Sequence, residues 1–399
     1  MIKNSLTNTK FLRISFSIGV LLLVLIGHIL VKPAPGVVDI NPKLLSDDGI
    51  WYSAKSLEFT GIEKQESFDK TIEWWNKFRS DETPKYTNFS VPTDTILIDS
   101  FFGSRVIYPL LSAPFVKLFG FYGLLVVPVL AFSLIWLLLI SILLKKSTLA
   151  FYVPLVLLAG STHYTKALVS TAGTDSLLCL LIFCFFYYST KLEYKRTNQI
   201  LVLNFIVFLG SFTKQSVSIW LIFSFIYLLI LHYRRLLNNI LILTLFMTLV
   251  FNTLFCFFIS EKLWGSVSAA KKMNWYPENF SFYEIVSRTF NLWFNELVTI
   301  LTKDFNVLFM LLLSALYVCK LLLDSRSYHH SYSNLLSNEN VIVLFTFGLL
   351  AAVILNVTII GLPNQGLRLQ VPLIPFFACL AAQQLQILSK SAIISKYKT

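Results

Sequence analysis

The chain has 399 residues, 56% of them hydrophobic, and a mean hydropathy of +0.69. Soluble domains average roughly 45–50% apolar, so this composition excludes an ordinary water-soluble globule. The net charge of +12 does not call for a nucleic-acid partner, because the basic residues gather between apolar runs, where a membrane protein keeps them.

Apolar runs of about 18 or more residues recur from end to end, each able to cross about 30 Å of hydrocarbon. Lipid leaves open backbone groups unsatisfied, so such spans must be helices. The first run, about 12–31, follows Lys3, Lys10 and Arg13. It is long for a signal peptide, and Pro33-Ala34-Pro35-Gly36 is a poor cleavage site. It reads as an uncleaved first span with a cytoplasmic N-terminus. The first extracytoplasmic loop follows at 32–104. Spans two to seven are expected at about 121–144, 148–161, 174–190, 199–213, 216–232 and 238–259. A second extracytoplasmic loop at 260–300 precedes spans eight to ten at about 304–323, 340–361 and 370–388.

This order places every short basic loop on the cytoplasmic side, together with both termini. The expected fold is an all-α polytopic membrane protein of about ten transmembrane helices. It forms a single integral membrane domain over 1–399, in the bacterial inner membrane. Spans three and five are short, which suits a re-entrant or tilted course.

The outer loops carry helical patterns. Phe68, Ile72, Trp75 and Phe78 recur at helical spacing, with Lys70, Glu73, Lys77 and Arg79 on other faces. Phe282, Ile285, Val286, Phe290, Trp293 and Leu297 form a second stripe. Both predict amphipathic helices lying on the outer membrane surface. The five cysteines, Cys179, Cys184, Cys256, Cys319 and Cys379, all fall in apolar segments and read as small buried hydrophobes. No P-loop, GxSxG or HExxH pattern occurs, which argues against nucleotide hydrolysis, serine esterase and zinc protease chemistry.

Ionisable groups near membrane depth are costly and mark candidate sites. Four regions hold them. The first is Asp39 with the adjacent Asp47 and Asp48. A carboxylate there can act as general base, and a pair can split roles between base and metal or cation binding. The same segment also suits a helix N-cap or a turn. The second is Ser104-Arg105-Val106-Ile107-Tyr108, opening span two from outside. Its Arg matches phosphate oxygens, and an Arg–Tyr interfacial anchor is the plainer reading. The third is His163, Tyr164, Lys166, Asp175 and Lys214, all expected at outer span ends. They line a polar cavity, or else the lysines snorkel to headgroups and Asp175 caps span four. The fourth is Arg368 in the turn from span nine into span ten, suited to clamping a lipid phosphate.

Together these segments resemble the GT-C superfamily of membrane glycosyltransferases, which includes the lipid-linked-sugar mannosyltransferases and the bacterial arabinose and glucose transferases. Asp47-Asp48-Gly49-Ile50-Trp51-Tyr52 is similar to the acidic motif that opens the family's first outer loop. Arg105 to Leu111, with Phe119-Gly120, is similar to its entry to the second span. Gly173-Thr174-Asp175-Ser176-Leu177-Leu178 is similar to the start of its fourth span, and Arg368 to Pro375 to its late Arg-x-x-x-Pro helix. With little chain after span ten, the resemblance is to a short, bacterial-type member.

The resemblance implies inverting transfer of a sugar, on the extracytoplasmic face, from a polyprenyl-phosphate donor to a glycan, lipid or protein acceptor. Asp48 or Asp47 would be the base, with Asp39 in reserve. Arg368, with Arg105 or Lys214, would hold the donor phosphate. His163, Tyr164, Lys166, Asp175, Tyr52 and Tyr108 would line the cavity. Some relatives use a divalent cation such as Mg or Mn and others none, so the metal stays open here. Two other readings compete: an O-antigen or capsule polymerase, which would keep its large loop late in the chain, and a lipid-linked-sugar flippase. No internal repeat stands out, which weighs against an inverted-repeat transporter.

Overall fold

The computed structural model describes residues 47–78, 105–143, 173–189, 197–214, 305–327 and 374–396, with isolated positions elsewhere. Among the described residues every regular element is helical. The helices are α1 (Asp47–Phe59), α2 (Lys64–Phe78), α3 (Ile107–Phe119), α4 (Val126–Leu143), α5 (Asp175–Ser189), α6 (Thr197–Ser211), α7 (Phe305–Ser327) and α8 (Ile374–Lys396). A 3-10 helix, Gly120–Leu125, joins α3 to α4.

The helices of predicted spans four, five and eight match α5, α6 and α7 within a few residues, and α8 matches span ten at its start but runs eight residues further, to Lys396. Spans one, three, six, seven and nine lie outside the described residues as continuous elements. Among the described residues, one segment, Ile107–Ser141, is long and apolar enough to cross a membrane. Asp175–Tyr188, Leu201–Ser211, Phe305–Lys320 and Ile374–Leu388 are shorter apolar helical stretches.

The segment Ile107–Ser141 is not one straight rod. Gly120 takes φ 61° and ψ −152°, a conformation that side-chain-bearing residues avoid. The chain doubles back there. The Tyr108 hydroxyl donates to the Leu124 carbonyl at 2.8 Å across this reversal. At Gly123 the backbones close so tightly that an added Cβ would lie 2.2 Å from the Phe115 carbonyl atoms. The expected span at about 121–144 is therefore corrected: its first residues belong to the fold-back, and the rod is α4. Its 18 residues rise about 27 Å, close to the hydrocarbon thickness.

Within the segment expected as the first outer loop, α1 and α2 form a helical hairpin. α1 ends in a Schellman arrangement: Ile62 N–H donates to the Leu57 carbonyl and Gly61 N–H to that of Glu58, with Gly61 at φ 96°. α2 then returns, and Trp51 packs on Phe68 at 4.6 Å between centroids. A small core of Ile50, Val116 and Leu124 ties α1 to the fold-back, flanked by Leu57, Ile72 and Trp74. Phe68 and Ile72 share one face of α2 at the expected spacing, but that face packs on protein, Phe68 on Trp51 and Ile72 on the small core, and the tryptophan stacking on Phe121 is Trp74. The side chains of Trp75 and Phe78 lie outside the described set.

In the bundle, α5 packs against both α4 and α6. Its Phe183 and Phe186 meet Phe376 of α8 at 5.4 and 5.0 Å. This near-complete burial suits a helix that is apolar on all sides. α7 joins α8, where the Ser314 hydroxyl donates to the Phe377 carbonyl at 3.1 Å. Small hydroxyl residues bond helices in this way within a membrane. Cys179 and Cys379 are buried as expected, whereas Cys319 is exposed on α7. Within the segment expected as the second outer loop, Val286 and Phe290 of the expected stripe are helical and exposed, as are Tyr283, Phe294 and Val298.

Candidate functional site

Three stretches distant in sequence meet at one end of the bundle. The first is α1, which brings Tyr52. The second is the entry to α3, which brings Arg105 and Tyr108. The third is the start of α5 with the end of α6, which bring Thr174, Asp175 and Lys214. A backbone hydrogen bond from Ile107 N–H to the Phe212 carbonyl at 3.3 Å fixes the second stretch to the third.

Tyr52 is the centre of the cluster and only 1% exposed. Its hydroxyl accepts a 2.9 Å hydrogen bond from Arg105 Nη1 and lies 3.5 Å from the Thr174 hydroxyl. Its ring meets Tyr108 edge-on at 5.1 Å. The Ser56 hydroxyl donates to the Pro109 carbonyl at 3.2 Å and holds α1 against α3 at the same level. Arg105 is 6% exposed. A guanidinium that deep loses hydration worth several kcal/mol and persists only where its N–H groups are engaged. Its planar fork suits carboxylate or phosphate oxygens.

Beside it, Lys214 forms an ion pair with Asp175, and their side chains are 15% and 18% exposed. Of the two readings open for Lys214, a polar-cavity residue that could meet a donor phosphate or a lysine reaching for headgroups, the ion pair favours the first, since it turns the ammonium toward Asp175. Asp175 stands in the first turn of α5, where the helix dipole favours a carboxylate. Thr174 precedes it, and its carbonyl accepts from Leu178 N–H at 2.9 Å. The hydroxyl of Ser176, in the same turn, is buried and has no hydrogen-bond partner among the described residues. The described charges of the site are thus two cations and one carboxylate around a helix N-terminus, an environment suited to anions.

Asp47 and Asp48 are the first residues of α1, so position 48 stands one helical turn before Tyr52. Asp39, His163, Tyr164, Lys166 and Arg368 lie outside the described residues. Among the described residues no group of three or more His, Cys, Asp or Glu forms a metal-binding cluster. Of the expected cavity residues, the structure brings together Tyr52, Tyr108 and Asp175, with Arg105 and Lys214 from the expected phosphate binders. Thr174 and Ser56 were not expected. Thr174 carried a sequence signal, a hydroxyl residue immediately before an apolar run.

Comparison with protein-family models, curated proteins and solved structures finds no match to this chain.

Proposed function

We propose that the chain is a membrane-embedded inverting glycosyltransferase. It moves a sugar from a polyprenyl-phosphate donor to a glycan, lipid or protein acceptor at the extracytoplasmic face. The supporting observation is that the helix opened by Asp47 and Asp48 carries Tyr52 into hydrogen-bonding contact with the buried Arg105. An acidic helix start and a cationic, anion-suited cluster therefore belong to one end of the fold. The reading includes about ten spans with both termini cytoplasmic.

In this reading Asp48 or Asp47 takes the proton from the acceptor hydroxyl as general base. The acceptor oxygen bonds to the anomeric carbon, and the bond from that carbon to the phosphate oxygen breaks. The lipid phosphate leaves with the bonding pair, and its charge is met by Arg105, Lys214 and Arg368. Phosphate is already a good leaving group, so orientation and charge stabilisation carry much of the barrier. No step is assigned to a metal.

The test is transfer of labelled sugar from a polyprenyl-phosphate pool in membranes, comparing wild type with Asp48→Asn and Asp47→Asn at equal protein level. Loss of transfer in one variant that still inserts identifies the base. Transfer at wild-type rates in both variants overturns the acidic-pair assignment. Absence of transfer in the wild type turns the reading toward polymerase or flippase.

A further inference from the structure

α2 and α3 flank the same small core but present opposite outer faces. Among the described side chains of α2 (64–74) the exposed ones are Lys64, Gln65, Glu66, Asp69, Lys70 and Glu73, all polar. On α3 they are Leu110, Leu111, Pro114, Leu118 and Phe119, with Lys117 as the single polar member. Leu118 is 73% exposed and Phe119 60%. An outer face of that kind is unstable in water and marks contact with apolar surroundings. A helix that is apolar on both faces belongs in an apolar medium.

Two features select lipid as that medium. α3 leads through the fold-back directly into α4, within the one described segment long and apolar enough to cross a membrane. α4 continues the exposed leucine surface at Leu130, Leu134 and Leu137. At the seam between the polar and apolar faces, Trp74 of α2 meets Phe121 and Tyr122 at 4.7 and 6.1 Å. Amphipathic aromatic rings gather at the headgroup level of a bilayer.

The geometry points to a re-entrant hairpin: α3 and the 3-10 helix lie within one leaflet, leucine face against acyl chains, and the boundary between water and hydrocarbon runs between α2 and α3. α3 has 13 residues and rises about 20 Å, too short to cross and long enough to lie in one leaflet. The buried Arg105–Tyr52 contact sits at the N-terminal end of this hairpin, at the depth of lipid phosphates. A lipid-phosphate ligand would reach it sideways along α3 without leaving the bilayer. The hairpin assignment holds whether or not the chain transfers sugar.

The test attaches an environment-sensitive fluorophore at single cysteines, Leu118→Cys on α3 and Glu73→Cys on α2, in the full chain with its native cysteines replaced by alanine. The chain is reconstituted in phosphatidylcholine vesicles. The label at 118 is expected to be quenched by doxyl groups on the acyl chains and shielded from aqueous iodide severalfold relative to 73, with the reverse at 73. Leu111→Cys repeats the measurement should the first variant fail to fold. Iodide quenching at 118 equal to that at 73 overturns the proposal. So does resistance to both quenchers, which would mean that protein covers the face.

Discussion

Arg105 donates a 2.9 Å hydrogen bond from Nη1 to the Tyr52 hydroxyl, and that contact joins the entry of α3 to the second turn of α1. The two residues are 53 positions apart, so the bond ties α1 to the entry of α3 across a long stretch of sequence. Because both side chains are buried, the contact bears on stability as well as on the site.

Tyr52→Phe keeps the ring against Tyr108 and removes one acceptor of a buried guanidinium. Hydrogen bonds to charged groups contribute about 1.5–3 kcal/mol, so a loss of that size is expected. It would appear as a lowered thermal midpoint for the purified chain in detergent. Arg105→Lys should cost a similar amount, because an ammonium lacks the planar fork. A Tyr52→Phe midpoint equal to wild type would remove this bond from the list of stabilising contacts.

The Asp175–Lys214 pair couples α5 to the end of α6. Exposed ion pairs contribute about 0–1 kcal/mol, whereas breaking a fully buried one costs about 3–5. With side chains 15% and 18% exposed, the pair belongs between these limits. Asp175→Asn and Lys214→Met should each destabilise, and the double variant should lose less than the sum of the two. A double-mutant cycle on thermal midpoints reads that coupling directly. Additive single effects would mean that the charges act independently.

The helices α5 to α8 were legible in the sequence because a long apolar run is a direct imprint of burial or lipid contact. The fold-back at Gly120 was not, since the run from Ile107 to Ser141 is apolar but for Lys117 and a few hydroxyl residues, and hydropathy carries no direction. Two glycines three positions apart were the available signal. The phase of α2 was set by Phe68 and Ile72, but the choice of Trp74 rests on Phe121, a partner 47 positions away, which helical periodicity alone does not specify. The same limit hid the Asp175–Lys214 pair. Both residues were expected at outer span ends, yet headgroups and each other are equally good electrostatic partners until the packing of α5 on α6 is known. Thr174 was passed over because its role is that of a neighbour to Tyr52, across 122 positions.

Gly123 offers the sharpest test of the fold-back. A Cβ at this position would lie 2.2 Å from the Phe115 carbonyl carbon and oxygen and 2.5 Å from the Val116 nitrogen. These are backbone atoms, so no side chain can swing away, and the 3-10 helix must separate from α3. Overpacking of this kind costs about 1–3 kcal/mol. The separation would also strain the Tyr108 hydroxyl bond to Leu124, which contributes about 1 kcal/mol more. Gly123→Ala should therefore lower the thermal midpoint clearly. Gly173→Ala is the control, because an added Cβ there meets nothing within 4 Å. Equal midpoints for the two variants would mean that the chain does not double back at Gly120, and the segment would then have to continue as a straight helix into α4.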